Sequence, residues 1–217
     1  MHWGHQTTTD YIKWEHQPVA LAPDEDYDYI GCFSGTALSE GDKHYLAYTS
    51  VIDGAQNQAI AYSSDGIVYQ KSEYNSILTG KDLPEGFSNG DFRDPKIFKR
   101  DNVYYMLVGN RDESGNKQIV CFKSNNIEKD WEYFGVTYSR KDVGGIFECP
   151  DLISIDGKDV LIASPQRISR TNDYEYQNDD SCVYKIGNFS QVNGKFRYSG
   201  GESLEEFDKG FSFYAPQ

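Results

Sequence analysis

Apolar residues along this chain recur in short alternating runs. HYLAYTSVI (44–52), QAIAYSSDGIVYQ (58–70), PKIFKRDNVYYMLVG (95–109), QIVCFKS (118–124) and DLISIDGKDVLIAS (151–164) place Val, Ile, Tyr and Phe at roughly every second position. That period, with that residue set, predicts β-strands of about 4–7 residues. Turn-forming residues separate the runs at Glu40-Gly41-Asp42, Asp65-Gly66, Arg100-Asp101-Asn102 and Asp156-Gly157-Lys158, and each predicts a hairpin. No stretch sustains a helical period beyond a turn or two. The polar pieces 72–90, 110–117 and 169–180 read as loops. The predicted fold class is therefore all-β, without a linker or low-complexity segment to divide it.

A weak internal repeat refines this. Asp10 precedes Trp14 by four residues, Asp65 precedes Tyr69 by four, and Asn126 precedes Trp131 by five. The leading residues of these markers are spaced 55 and then 61 apart. Between the markers runs a second recurring element built on a Phe: CFSGTAL (Phe33), FRDPKIF (Phe92) and FECPDLI (Phe147), with FSFYAPQ (Phe213) as a fourth copy. Units of this length, each holding about four short strands, are the signature of a β-propeller with four-stranded antiparallel blades. A plain β-sandwich with chance similarity between segments is the alternative. In the propeller, each Phe element starts a blade's innermost strand. The polar residues beside it then converge on the central channel: Ser34 from one blade, Arg93 and Asp94 from the next, and Glu148 from the third.

Composition narrows the chemistry. The formal net charge of −13 argues against nucleic acid or an anionic membrane as partner. Aromatic residues make up 15% of the chain. Such a surplus, together with carboxylates, suits carbohydrate, whose C–H faces stack on rings and whose hydroxyls bind acids, but the same numbers fit an ordinary acidic β-protein, so composition alone does not decide. Cys32, Cys121, Cys149 and Cys182 form no CxxC pair and read as buried reduced thiols. No secretory signal or apolar span is visible, so a cytoplasmic location is expected. The His2–His5 pair lacks an acidic partner at ligand spacing, so no metal is expected there. Asp24–Asp28 (DEDYD) reads as a solvated acidic loop.

Two carboxylates converging on one pocket point to acid–base work on a glycosidic bond. Glu148 lies between Ile146-Phe147 and Cys149-Pro150. Burial among apolar neighbours raises a carboxyl pKa, which marks Glu148 as the acid candidate. Asp94 follows Arg93, whose guanidinium is expected to keep it ionised and able to accept hydrogen bonds from sugar hydroxyls. The alternative is a pair of structural acids at hairpin turns.

The ordered segments MHWGH, WEHQPVALAPD, GCFSGTA, FRDPKIF, FECPDLI, SPQ, YQN and GFSFYAPQ resemble glycoside hydrolase family 32, in its sucrose-6-phosphate hydrolase and β-fructofuranosidase branch. The likeness covers nearly the whole chain. It implies a five-bladed propeller, followed in full-length members by a C-terminal β-sandwich, and retaining hydrolysis of terminal β-fructofuranosides such as sucrose. It implies that Glu148 is the acid/base, that Asp94 stabilises the transition state through fructose hydroxyls, and that Arg93, Phe33 and Ser34 contact substrate. No metal or organic cofactor is implied. Five-bladed relatives of families 43 and 68 fit MHWGH and WEHQPVALAPD poorly.

The departures from the family pattern also shape the expectation. The family nucleophile is an Asp in an Asn-Asp-Pro-Asn-Gly motif ahead of the segment resembling MHWGH, and no Asn-Asp-Pro occurs in these 217 residues. The expectation is an incomplete propeller domain over 1–217, lacking the N-terminal part, the last blade and the sandwich. Two further expectations follow: self-association through open blade faces, and a non-catalytic or vestigial sugar-binding fragment as the alternative to an enzyme.

Overall fold

The computed structural model describes residues 1–169, 175–198, 204–210 and 213–216. Its strands, in chain order, are β1 (Gln6–Thr7), β2 (Glu15–His16), β3 (Gly31–Glu40), β4 (Lys43–Ile52), β5 (Ala55–Ser63), β6 (Gln70–Lys71), β7 (Phe87–Arg100), β8 (Val103–Asp112), β9 (Lys117–Ser124), β10 (Glu132–Arg140), β11 (Phe147–Ile155), β12 (Lys158–Pro165), β13 (Val183–Phe189), β14 (Phe196–Tyr198) and β15 (Glu205–Glu206). The one helical turn among the described residues is a 3-10 turn at Gly80–Asp82, capped by Thr79. The all-β prediction holds.

Three antiparallel sheets follow one another in the order β3-β4-β5-β6, β7-β8-β9-β10 and β11-β12-β13-β14, with β15 also pairing β13. Each is a meander whose first strand lies at one edge. Those first strands adjoin: β7 packs against both β3 and β11. This is the blade arrangement that the repeat implied. Hairpin chemistry explains several corners. Asp101-Asn102 and Asp156-Gly157 all have positive φ, the conformation of a two-residue type I′ turn, and they close Arg100↔Val103 and Ile155↔Lys158.

The recurring Asp/Asn markers are one turn used repeatedly. Ser63 Oγ accepts from the backbone N–H of Asp65 and Gly66, and Asp65 Oδ1 accepts from Ile67 and Val68. Thr8 and Asp10 make the same bonds between β1 and β2, and Ser124 and Asn126 make their counterparts between β9 and β10. In every case the hydroxyl and the acid or amide satisfy turn amides that no strand partner reaches. Asp65-Gly66 is thus not a tight hairpin, as its Asp-Gly pair predicts, but part of a six-residue connection from β5 to β6.

Two predicted loops are shorter than expected. β7 begins at Phe87 inside the 72–90 piece, and β8 runs to Asp112 inside the 110–117 piece. Phe87 faces Asp112 there, and across the register shift between Phe87 and Phe92 the Asn110 side chain donates to the Ser88 and Asp91 carbonyls. Part of the 169–180 loop (170–174) lies outside the described residues, as do residues 211, 212 and 217 of the fourth Phe element.

Apolar layers between sheets hold the stack. Phe92, Ile97, Met106, Val108 and Phe122 meet Ala47, Ile60 and Leu78 between the first two sheets. Leu107, Ile119, Phe147, Leu152, Leu161 and Phe189 fill the next layer. There the Arg100 guanidinium clamps both carboxylate oxygens of Asp159 (3.0 and 2.6 Å) while lying over Phe98 and Phe189. Gly109 permits the close approach of β8 to β11: a Cβ there would lie 2.2 Å from the Phe147 carbonyl oxygen.

The outer face of the first sheet is not bare. Leu21, Trp3, Ala20 and Tyr27 cover it. The acidic 24–28 loop folds with them, and Asp28 is fully buried rather than solvated. Lys71 neutralises it at 2.6 Å, and Tyr48 donates to it at 3.0 Å. By contrast, the outer face of the third sheet leaves Ile153, Ile155, Ile186 and Phe207 partly exposed.

Candidate active site

Each first strand carries a β-bulge within its Phe element, just after the Phe, with register shifts between Phe33 and Gly35, Arg93 and Lys96, and Glu148 and Asp151. Asp94 (φ 65°) and Cys149 (φ 45°) sit in the left-handed region at the last two bulges. Pro95 and Pro150 follow them. Proline has no N–H to contribute to a ladder, so Asp-Pro and Cys-Pro place the interruption where the bulge is. A bulge re-aims the flanking side chains, here toward the edge where β7 and β11 adjoin.

The strained backbone at Asp94 is held by the first sheet. Asp94 N–H donates to Thr49 Oγ1 (2.8 Å), and the Thr49 hydroxyl donates to the Ser34 carbonyl (3.2 Å). Thr36 Oγ1 donates to the Pro95 carbonyl (2.9 Å) and accepts from Ile97 N–H (3.0 Å). Gln58 donates to the Phe92 carbonyl at 2.7 Å. Three buried side chains on β3, β4 and β5 thus pair the backbone groups that the bulge strips from the ladder, as buried polar groups require.

The two acids come together, in environments that differ from the sequence expectation. Asp94 is the buried one, 4% exposed. Its Oδ2 accepts from Cys149 N–H at 3.0 Å and lies 3.7 Å from Cys149 Sγ. Burial pushes its carboxyl above the ordinary range, and the Cys149 amide and the Arg93 charge only partly offset this. The Arg93 guanidinium does not pair with Asp94, as its neighbouring position suggested. It turns across to Glu148, donating from Nε (3.1 Å) and Nη2 (2.8 Å) to Oε1. The apolar residues beside Glu148 in sequence do not surround its carboxylate either. Strand alternation sends Phe147 and Cys149 into the interior and leaves Glu148 half-buried against polar groups. Tyr214 donates to its other oxygen at 2.5 Å.

Ser34 is linked to this cluster through the main chain by Thr49, whereas the main-chain bond of Phe33 leads to Trp3 and not to either acid. The Phe33 carbonyl accepts from Trp3 Nε1 (2.9 Å), and the Ser34 carbonyl accepts from Thr49. Sequence reasoning missed Thr36, Thr49, Gln58, Asp91 and Tyr214. Tyr214 had a signal, since it follows Phe213 in the fourth Phe element, and Ala215 N–H bonds Ser164 Oγ beside β11. The cluster therefore offers two carboxylates of unequal burial, a guanidinium fork and a phenol. Such a set can hold hydroxyls and exchange a proton with a leaving oxygen.

A family model described as Glycosyl hydrolases family 32 N-terminal domain matches residues 1–217. The chain belongs to glycoside hydrolase family 32. It is 37% identical to the sucrose-6-phosphate hydrolase of Bacillus subtilis (strain 168) over 225 residues, covering 99% of this chain and 45% of that protein. It is 35% identical over 227 residues to the raffinose invertase of Escherichia coli, covering 100% and 45%. Among solved structures, a Bombyx mori β-fructofuranosidase in complex with sucrose superposes with a TM-score of 0.85 at 32% identity, covering 99% of this chain and 45% of that one. The sucrose-6-phosphate hydrolase of Lactobacillus gasseri gives 0.85 at 31%, covering 99% and 44%. The family-32 chain thus spans less than half the length of these relatives. Among its described residues, no group of three or more His, Cys, Asp or Glu is arranged to hold a metal ion, and no helix is long and apolar enough to cross a membrane.

Proposed function

We propose that this chain supplies the acid/base and part of the fructose pocket of a retaining β-fructofuranosidase acting on sucrose or sucrose-6-phosphate. The observation that carries the reading is the meeting of Arg93, Asp94 and Glu148 at two adjacent bulges. Glu148 is the acid/base, positioned by Arg93 and Tyr214. Asp94 accepts hydrogen bonds from fructose hydroxyls, and Arg93, Phe33 and Ser34 border the sugar. The names of the relatives support the substrate class. Residues 1–217 act as part of a propeller domain, and the four free thiols suit a reducing, cytoplasmic setting.

Retention requires a second carboxylate about 5–5.5 Å from the acid, to form the glycosyl-enzyme. Since no Asn-Asp-Pro occurs in these residues, a second reading is kept, in which the cluster binds a fructoside without cleaving it. Fructose release from sucrose and sucrose-6-phosphate separates the two. Release by this chain that is abolished in Glu148→Gln supports the enzyme. Binding of either sugar without release supports the second reading, and neither release nor binding refutes both.

A further inference from the structure

Beyond these groups, the carboxylate of Asp91 is committed in two directions. Its Oδ1 accepts from Arg93 Nη1 at 2.9 Å, and its Oδ2 pairs with Arg111 Nε at 2.5 Å. The residue is also pinned through its backbone: its N–H donates to Ser88 Oγ (3.1 Å), and its carbonyl accepts from Asn110 Nδ2 (2.7 Å). Arg93 therefore serves two acids at once. Nη1 goes to Asp91 and, at 3.4 Å, to Gln56 Oε1, while Nε and Nη2 go to Glu148. The result is an alternating row, Arg111–Asp91–Arg93–Glu148, ending at the Tyr214 hydroxyl. Its outer end, Arg111, is more than half exposed.

Alternation has a physical consequence. A guanidinium bonded only to Glu148 would hold that carboxylate in its ionised form and oppose its taking up a proton. A second acid on the same guanidinium draws part of that charge away and fixes the orientation of the fork. We propose that Asp91, counterbalanced by Arg111, is a positioning residue that holds Arg93 against Glu148 while moderating its charge, so that Glu148 can both accept and release a proton. This rests on the acid/base reading of Glu148. The charged and titratable groups facing Glu148 are Arg93 and Asp94 from β7, Cys149 from β11 and Tyr214, with Asp180 acting on Tyr214. Asp91 itself faces Arg93 and Arg111.

The test is the titration of Glu148 itself, followed by its carboxyl carbon resonance in 13C-labelled protein and assigned with Glu148→Gln. Asp91→Asn keeps the acceptor and removes the charge. It should lower the Glu148 midpoint, because a negative charge on the far side of the shared guanidinium is removed. Arg111→Gln, at an exposed position and one ion pair further away, should raise the midpoint by a smaller amount. Shifts of opposite sign support the proposal. An unchanged midpoint in either variant, or shifts of the same sign, overturns it. Should Asp91→Asn fail to fold, the upward shift in Arg111→Gln decides alone. The titration is read without sugar, so its failure is separate from a failure of fructoside binding, which would remove the functional reading instead.

Discussion

Thr49→Val isolates what holds the bulge at Asp94. Thr49 is fully buried, and valine matches its shape, so the change opens no cavity. What it removes is the acceptor for Asp94 N–H and a donor that the Ser34 carbonyl (3.2 Å) shares with Gln58 Oε1 (3.4 Å). Leaving one buried group unsatisfied costs about 1–3 kcal/mol, and a carbonyl with a second lone pair sits at the lower end. Partial relaxation of the positive-φ backbone returns some of this, so a loss of about 2 kcal/mol is expected. With a urea m-value of about 2–3 kcal/mol/M, the midpoint should fall by about 0.7–1 M at unchanged m. The matched control is Thr137→Val. Thr137 is 3% exposed, and its hydroxyl has only the Cys121 thiol, a weak partner, beside it, so that change should cost much less than Thr49→Val. Equal midpoints for Thr49→Val and wild type, or equal losses in the two variants, would refute the argument that these hydroxyls hold β7 in place.

Other outcomes follow from the same geometry. The raised pKa of Asp94 means that the folded state binds its proton more tightly than the unfolded chain. Its contribution is therefore fully present below the unfolded value of about 3.9 and is lost as pH rises through the folded value. Asp94→Asn should make the protein more stable than wild type at pH 7, with the gap closing below about pH 4, read by urea melts across pH; a gap that widens in acid contradicts this. Burial pushes the Cys182 thiol up to about 11 and the Cys32 thiol, with Asp28 beside it, up to about 12. Burial likewise raises Cys121 and Cys149. All four should resist a thiol reagent at pH 8 and react only on unfolding. The exposed Ile153, Ile155, Ile186 and Phe207 on the third sheet should drive concentration-dependent self-association, reversed by Ile186→Glu; a constant monomer mass in light scattering would refute it.

The sheets and their order were legible because period-2 runs and a repeat of regular length carry both. The turn at Ser63-Ser64-Asp65, repeated at Thr8 and Ser124, is the physical content of that repeat. The meeting of Arg93, Asp94 and Glu148 was legible from repeat phase. Their partners were not. Adjacency in sequence suggested Arg93 for Asp94 and an apolar sleeve for Glu148, but side chains alternate across a strand, and the bulges turn them again. Thr36, Thr49 and Gln58 look like any polar residues of a strand. Only the packing of one sheet on the next gives them backbone groups to satisfy. Asp28 shows the same limit, since its burial depends on Lys71, 43 residues away.

The central claim is that the Arg93–Asp94–Glu148 cluster receives a β-fructofuranoside. Saturation-transfer NMR with sucrose, on wild type and on Asp94→Asn, tests it most directly. The account predicts transfer to the fructosyl protons in wild type and its loss, by at least about tenfold in affinity, in a variant that is folded and more stable at neutral pH. Equal transfer in both proteins, or none in wild type, would contradict it.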